Sequence, residues 1–160
     1  MRKLSSFATR RPHGFTLVEL MVVVTVATIL TVIAVPSYIN TVRKSHRTEA
    51  KSILMDLAGR EERYLATNGA YTNDIAQLGF SVAWGQPVGS GYYKIEDPTA
   101  TITAATVSSA TVAATPATYV LTATAINAQV KDTQCAQFTV NQAGVQGSLN
   151  SSAAASTGCW

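Results

Sequence analysis

The chain has 160 residues and a formal net charge of +3, a length that suits one domain. Four of its 12 Lys and Arg residues lie in the first 14 residues, which contain no acidic residue. The remainder carries eight basic and nine acidic residues. The basic overall charge therefore comes from a short leader segment and does not by itself indicate a nucleic-acid-binding protein.

An apolar segment follows the basic leader and runs from Phe15 to Pro36. A helix of these 22 residues is about 33 Å long, enough to cross the hydrocarbon core of a bilayer. Basic residues before the segment place the N-terminus in the cytoplasm, although further basic residues at 43–47 weaken that inference. Residues 32–38 show no A-x-A pattern, so cleavage as an ordinary signal peptide is not expected and the segment is retained.

Glu19 is the one charged residue in this segment. A plain membrane anchor explains the apolar composition but leaves Glu19 unexplained, because an ionised carboxylate at the centre of a membrane helix costs about 2.5–3.5 kcal/mol. The cost is lower near the end of the helix, yet the acid still needs a partner. Cleavage after Gly14 would create one, a free amine at Phe15, four residues before Glu19.

The run GFTLVEL at residues 14–20 closely resembles the processing motif of type IV pilins and related pseudopilins. The resemblance implies that a membrane-embedded aspartyl peptidase cuts after Gly14 and methylates the new N-terminus at Phe15. It also implies that Glu19 pairs with the terminal amine of a neighbouring subunit during assembly. Pro36 matches the proline that kinks the helix in this family.

Other positions are similar to minor pilins of the type IVa class: Tyr71, Gln129, Asp132 and the terminal Cys159-Trp160 pair. The implied fold is α+β, with a long N-terminal helix packed on an antiparallel β-sheet headpiece and a C-terminal loop bounded by a disulfide. The implied divisions are a cleaved leader (1–14), an apolar membrane or filament-core helix (15–36), the amphipathic half of the same helix (37–67) and the headpiece (68–160).

Cys135 and Cys159 are the only cysteines. Beyond an export signal, the oxidising periplasm favours a disulfide between them, and two unpaired buried thiols are the alternative. Zinc is not expected, because His46 is the only histidine beyond the leader and lies far from both cysteines in sequence. No metal or other cofactor is predicted.

The chain after Pro36 stays helical in pattern. Apolar residues recur at helical spacing between Ile53 and Leu65, with a gap at Glu61, and Asn68-Gly69 is a plausible helix end. The pattern predicts one helix over about 15–67, bent at Pro36 because proline removes a backbone donor. Strand-like runs follow at 92–96, 118–124 and 135–141, and they predict an antiparallel sheet covered by the apolar stripe of the helix.

Three features keep more than one interpretation. Residues 99–118, nearly all Thr, Ala, Ser and Val, suit an extra hairpin, a variable loop or an O-glycosylated patch. Thr25, Thr28 and Thr31 permit close helix–helix approach or bond their own helix carbonyls. One cluster of basic residues suits DNA capture: Arg43, Lys44, Arg47 and Lys51. Two other interpretations are favoured, namely contact with lipid headgroups and pairing with Glu49, Asp56, Glu61 and Glu62. The reason is that no aromatic residues lie among the basic ones to stack on bases.

No nucleophile, metal or phosphate-binding motif is visible, so an enzyme is not expected. The resemblance implies a pilus subunit, most like a minor pilin, with motility, adhesion or DNA uptake as outputs. Its expected partners are other pilin subunits, the prepilin peptidase/methyltransferase and the inner-membrane assembly machinery, whereas nucleic acid is possible but unsupported. It would cross the inner membrane once, with its C-terminus in the periplasm, and then enter the extracellular pilus.

The alternatives are a type II secretion pseudopilin, a tip adhesin or DNA-binding pilin, and a membrane-anchored enzyme.

Overall fold

A computed structural model describes residues 14–98 and 117–160. Residues 1–13 of the leader, and residues 99–116 of the segment whose form the sequence left open, lie outside the described residues. The chain divides into two compact units, of which the first ends at Asn40 and the second is Thr41–Trp160. The elements are helix α1 (Leu17–Asn68), a short 3₁₀ helix (Asn127–Lys131), and strands β1 (Pro87–Val88), β2 (Tyr93–Ile95), β3 (Val120–Ala125), β4 (Gln137–Asn141) and β5 (Gln146–Leu149).

The five strands form one sheet in the order β1-β2-β3-β4-β5, and each neighbouring pair is antiparallel. Three of them, β2, β3 and β4, correspond to the predicted runs and start one or two residues later. The sequence did not predict β1 or β5. Strand β1 has only two residues, and β5 has the sequence QGSL, which lacks the β-branched and aromatic residues that mark strands.

The headpiece core lies between the sheet and the second part of α1. Alternate residues of β3 and β4 are buried, and the register places Leu121 opposite Val140 and Ala123 opposite Phe138. Helix α1 contributes its buried side chains Ala50, Leu54, Leu57 and Ala58 to the same cluster. The predicted α+β architecture is therefore confirmed, with one face of the sheet covered by the helix.

Glu61 is fully buried, with 0% of its surface exposed, so the buried stripe of α1 continues where the sequence predicted a gap. Its Oε2 accepts the backbone N–H of Thr72 at 3.2 Å, whereas Oε1 has no hydrogen-bond partner among the described residues. Burial raises the pKa of Glu61, the Thr72 N–H opposes that rise, and the nearby charge of Glu62 adds to it. Folding thus shifts the titration of Glu61 toward its protonated form.

A buried polar network joins the 3₁₀ helix to α1. The guanidinium of Arg47 donates two hydrogen bonds of 2.6 Å to the carboxylate of Asp132, and the two side chains are only 16% and 4% exposed. The Gln129 amide donates to Asp132 at 2.9 Å and its oxygen lies 3.1 Å from His46 Nδ1. These contacts fix the segment that leads into Cys135.

The C-terminal residues are fixed by the disulfide and by contacts with α1. Cys135 and Cys159 are bonded, with Cα atoms 5.7 Å apart, which confirms the predicted bridge. A crosslink over such a loop stabilises a fold by roughly 3–4 kcal/mol in the chain-entropy model. Lys51 Nζ donates to the Cys159 carbonyl at 2.9 Å, and the Trp160 indole packs edge-on against Phe138 with ring centres 5.7 Å apart.

We predict that Arg47→Met destabilises the headpiece by about 3 kcal/mol, because it leaves the Asp132 carboxylate buried without its cation. The same change at Arg63, which is exposed on α1, serves as the control and is expected to cost little. Thermal unfolding of the full chain in detergent measures both. Adding Asp132→Asn to Arg47→Met removes the uncompensated charge and should recover part of the loss. Equal loss for the Arg47 and Arg63 variants would contradict the assignment.

A second prediction concerns Glu61 and pH. Because the folded-state pKa lies above its ordinary value of 4.5, the contribution of Glu61 is complete below that value and is lost as pH rises through the folded-state pKa. Glu61→Gln removes the charge and keeps an oxygen that can accept the Thr72 N–H. The variant should therefore melt above wild type at pH 8 and gain no such advantage at pH 4. Glu96→Gln, which alters a surface ion pair, is the control, and a difference for Glu61→Gln that does not change with pH would refute the argument.

Candidate functional site: the start of the long helix

Helix α1 begins directly after Thr16. The carbonyl of Thr16 accepts the N–H of Leu20 at 3.2 Å, and its hydroxyl oxygen accepts the N–H of Glu19 at 3.2 Å. A residue whose carbonyl accepts the first helical bond and whose side chain accepts a first-turn N–H is an N-cap. Gly14 and Phe15 consequently lie before the helix and outside its hydrogen-bond pattern.

Gly14 and Phe15 are accessible in this arrangement. Phe15 is 82% exposed, and a Cβ placed on Gly14 would meet no atom within 4 Å. Within the part of the chain that the structure describes, packing therefore gives no reason for glycine at position 14.

Glu19 occupies the third helical position, so Thr16 and Glu19 have the spacing of a capping box. A negative charge in the first turn also interacts favourably with the helix dipole. The Glu19 carboxylate has no hydrogen-bond or ion-pair partner among the described residues. The position of Glu19 therefore stabilises the helix start and leaves its carboxylate oxygens available to a group beyond the described residues.

The helix surface that follows is apolar and uncovered. It contains an 18-residue window with a mean hydropathy of 2.5 and no buried residue, and it is the one described helix that is long and apolar enough to cross a membrane. Residues 17–35 are all exposed. A continuous apolar surface of this extent needs lipid or other protein around it.

The threonines of this surface bond their own helix. The hydroxyls of Thr25, Thr28 and Thr31 each donate to the carbonyl four residues earlier, at 2.8, 2.8 and 2.7 Å. This is one of the two interpretations that the sequence left open, and it satisfies the hydroxyls without water. Residues on both sides of Pro36 are helical, and the bend at Pro36 stays a prediction.

Two members of the basic cluster are engaged inside the headpiece. Arg47 binds Asp132 and Lys51 binds the Cys159 carbonyl. The predicted pairing of this cluster with Glu49, Asp56, Glu61 and Glu62 is therefore wrong for both residues.

The four acids have other roles. Glu49 accepts hydrogen bonds from the N–H and hydroxyl of Ser90 at 2.8 and 3.0 Å, Asp56 pairs with Arg60 at 2.9 Å, and Glu62 accepts the Tyr71 hydroxyl at 3.0 Å. Glu49 approaches so closely that a Cβ on Gly89, which has φ +55, would collide with its carboxylate. The Asp56–Arg60 pair follows helical spacing. The partners of Glu49 and Glu62 lie in loops outside α1, so helical spacing could not reveal them.

The helix start presents the peptide bond between Gly14 and Phe15 and the Glu19 carboxylate, and both are accessible to other molecules. Within residues 14–98 and 117–160, no three His, Cys, Asp or Glu side chains gather into a possible metal site. The sequence reasoning identified Gly14, Phe15 and Glu19 but did not identify Thr16 as the cap. The T-x-x-E spacing at 16–19 was the available signal.

Two family models match the chain. The model described as "Type IV minor pilin ComP, DNA uptake sequence receptor" matches residues 36–139. The model described as "Prokaryotic N-terminal methylation motif" matches residues 9–35. Together they span both the helix start and most of the headpiece.

The chain is also similar to three filament proteins. It is 34% identical over 79 residues to the type IV major pilin protein PilA of Myxococcus xanthus (49% of this chain, 36% of the relative). It is 35% identical over 68 residues to the fimbrial protein EcpC of Eikenella corrodens (42% and 44%). It is 30% identical over 69 residues to the type IV wide pilus major component PilA4 of Thermus thermophilus (43% and 53%).

The chain thus spans about half or less of the length of these relatives. The minor-pilin model nevertheless covers more than half of the chain, and the exposed apolar helix after a methylation motif, the antiparallel sheet and the C-terminal disulfide all agree with it. The protein belongs to the type IV pilin family.

Proposed function

We propose that this chain is a minor pilin whose precursor is cut after Gly14 and N-methylated at Phe15. Residues 15–36 hold it in the inner membrane, with the C-terminus in the periplasm, until it is polymerised into an extracellular type IV pilus. The observation that carries the proposal is the exposed Gly14–Phe15 bond directly before an uncovered apolar helix. A prepilin peptidase acts on the first feature, and membrane and filament in turn cover the second.

Polymerisation moves the helix from lipid to a core of other helices. That transfer exchanges one apolar environment for another and gains little hydrophobic free energy. The inner-membrane assembly machinery must therefore supply energy. Glu19 gives register, because its carboxylate, which lacks a described partner in its own chain, can pair with the Phe15 amine of an adjacent subunit.

The assignment as a minor subunit rests on the description of the matched family. The three relatives support a pilus subunit more generally, since two are named as major components. Quantitative mass spectrometry of sheared filaments separates the two roles. The chain should be present at a small fraction of the most abundant subunit, and a majority share would identify a major pilin.

DNA uptake is a second candidate function, favoured by the matched family's description as a DNA uptake sequence receptor. The charges of the headpiece argue against strong binding by this chain alone. Beyond Lys51 there are four basic and seven acidic residues, and two of those cations form ion pairs with Asp56 and Glu96. Duplex DNA binding depends on free Lys and Arg at phosphates. Binding of duplex DNA by filaments with and without this chain, at two salt concentrations, tests the role.

We predict that the mature chain begins at Phe15 with an added methyl group. Intact-mass measurement of protein from native membranes checks this start. Gly14→Leu should accumulate as precursor, because a bulky side chain then lies beside the scissile bond. Since Gly14 has no packing neighbour within 4 Å, the change should not disturb folding. A start after residue 34, or an intact leader in wild type, would show that the processing proposal is wrong.

We predict further that Glu19 governs filament incorporation and not membrane insertion. Glu19→Gln keeps the shape and removes the charge, so it should insert and be processed but enter filaments poorly. Glu19→Val should insert at least as well and incorporate worse. Glu96→Gln removes one acid from the headpiece and is the matched control. The measurement compares membrane and sheared-filament fractions, and equal incorporation of wild type and both Glu19 variants would exclude Glu19 as the assembly determinant.

A further inference from the structure

We propose that Thr16 is the positioning residue for leader removal, because as the N-cap of α1 it keeps the Gly14–Phe15 peptide bond outside the helix. The proposal rests on the proposed cleavage after Gly14. It assigns to Thr16 a task on the precursor, before any contact with other subunits. The acceptor oxygen of its side chain performs that task.

The Thr16 hydroxyl oxygen accepts the N–H that the Phe15 carbonyl would accept if the helix were one residue longer. In an α-helix the carbonyl of a residue bonds the N–H four residues later, so the next bond upstream would join the Phe15 carbonyl to the N–H of Glu19. That N–H is already bonded to Thr16 Oγ1 at 3.2 Å. The Thr16 carbonyl instead accepts the first helical bond, from Leu20 at 3.2 Å. The hydroxyl therefore competes directly with one more residue of helix at Phe15.

Helix extension would hinder hydrolysis. If α1 grew by two residues, the Phe15 and Gly14 carbonyls would bond the N–H groups of Glu19 and Val18, and helical side chains would surround the peptide bond. In the hydrolysis, water attacks the Gly14 carbonyl carbon and the C–N bond to Phe15 breaks. Gly14 then carries the new carboxylate, and the Phe15 nitrogen takes up a proton as the amine. A bond already outside the helix reaches this geometry without prior unwinding.

The other threonines of the same helix provide a chemical contrast. Thr25 uses its hydroxyl as a donor, to the Met21 carbonyl at 2.8 Å. Thr16 uses its oxygen as an acceptor from a backbone N–H. Replacing Thr25 therefore removes a hydroxyl from the apolar segment and leaves the cap in place, so the two effects can be measured separately.

The experiment follows cleavage of the full-length precursor in membranes that contain the prepilin peptidase, by pulse-chase. Thr16→Val keeps the β-branched shape and cannot cap, so its cleavage should be about fivefold slower, the size of a typical lost N-cap. Thr16→Asn changes the shape and caps well, so its rate should lie within about twofold of wild type. Thr25→Val is the matched control and should be cleaved at the wild-type rate. The membrane-bound fraction of each precursor is measured alongside to correct for insertion.

A wild-type rate for Thr16→Val would overturn the proposal. Slow cleavage of both Thr16→Val and Thr16→Asn would overturn it too, because the peptidase would then be reading the threonine side chain itself. Equal slowing of Thr25→Val would show a general effect of the apolar segment and have the same consequence. The mass of the wild-type product is determined in the same samples. If wild type is not cut between Gly14 and Phe15, the processing proposal fails; if it is cut there and Thr16→Val is normal, only the role of Thr16 fails.

Discussion

The apolar surface along residues 17–35 is the constraint on which the rest of the molecule depends. No described residue covers it, so it contributes nothing to the core of the isolated chain. The headpiece must be stabilised by the second part of α1 and the sheet alone, with Leu54 and Leu57 as the largest apolar contributions from the helix. Small domains bury a smaller fraction of their surface on folding than large domains do, and they are marginally stable. The disulfide and the buried Arg47–Asp132 pair consequently help to hold the C-terminal end in place.

The same constraint explains how polar groups are placed in the first part of α1. In an apolar surrounding every donor and acceptor needs a partner within reach. The hydroxyls of Thr25, Thr28 and Thr31 use their own helix carbonyls, and Thr16 satisfies an N–H of the first turn. Glu19 is the polar side chain of this segment that has no such solution among the described residues. In the proposed function, its carboxylate is therefore the group whose pairing changes when lipid around the helix is replaced by other subunits.

The features that the sequence predicted are those with local signals. The processing motif, the long helix, three strands and the bridge between the only two cysteines each follow from residues close in sequence or from composition. The features that it missed depend on contacts across the fold. Asp132 lies 85 residues from Arg47, and Glu61 was assigned to a gap because its burial depends on the loop at Thr72. Thr16 is different, because the T-x-x-E spacing at 16–19 indicates a helix cap. The same residues also belong to the cleavage motif, and the sequence was interpreted only in those terms.

The contacts of the cations within the headpiece bear on the DNA-binding role proposed as a second candidate. Of the eight basic residues beyond the leader, four are engaged within the headpiece: Arg47 with Asp132, Lys51 with the Cys159 carbonyl, Arg60 with Asp56 and Lys94 with Glu96. An engaged cation offers little to a phosphate, because binding DNA would require the internal contact to be given up or shared. For Arg47 that exchange would leave Asp132 buried without its partner. The internal contacts of these four cations therefore support the proposed structural role of the headpiece.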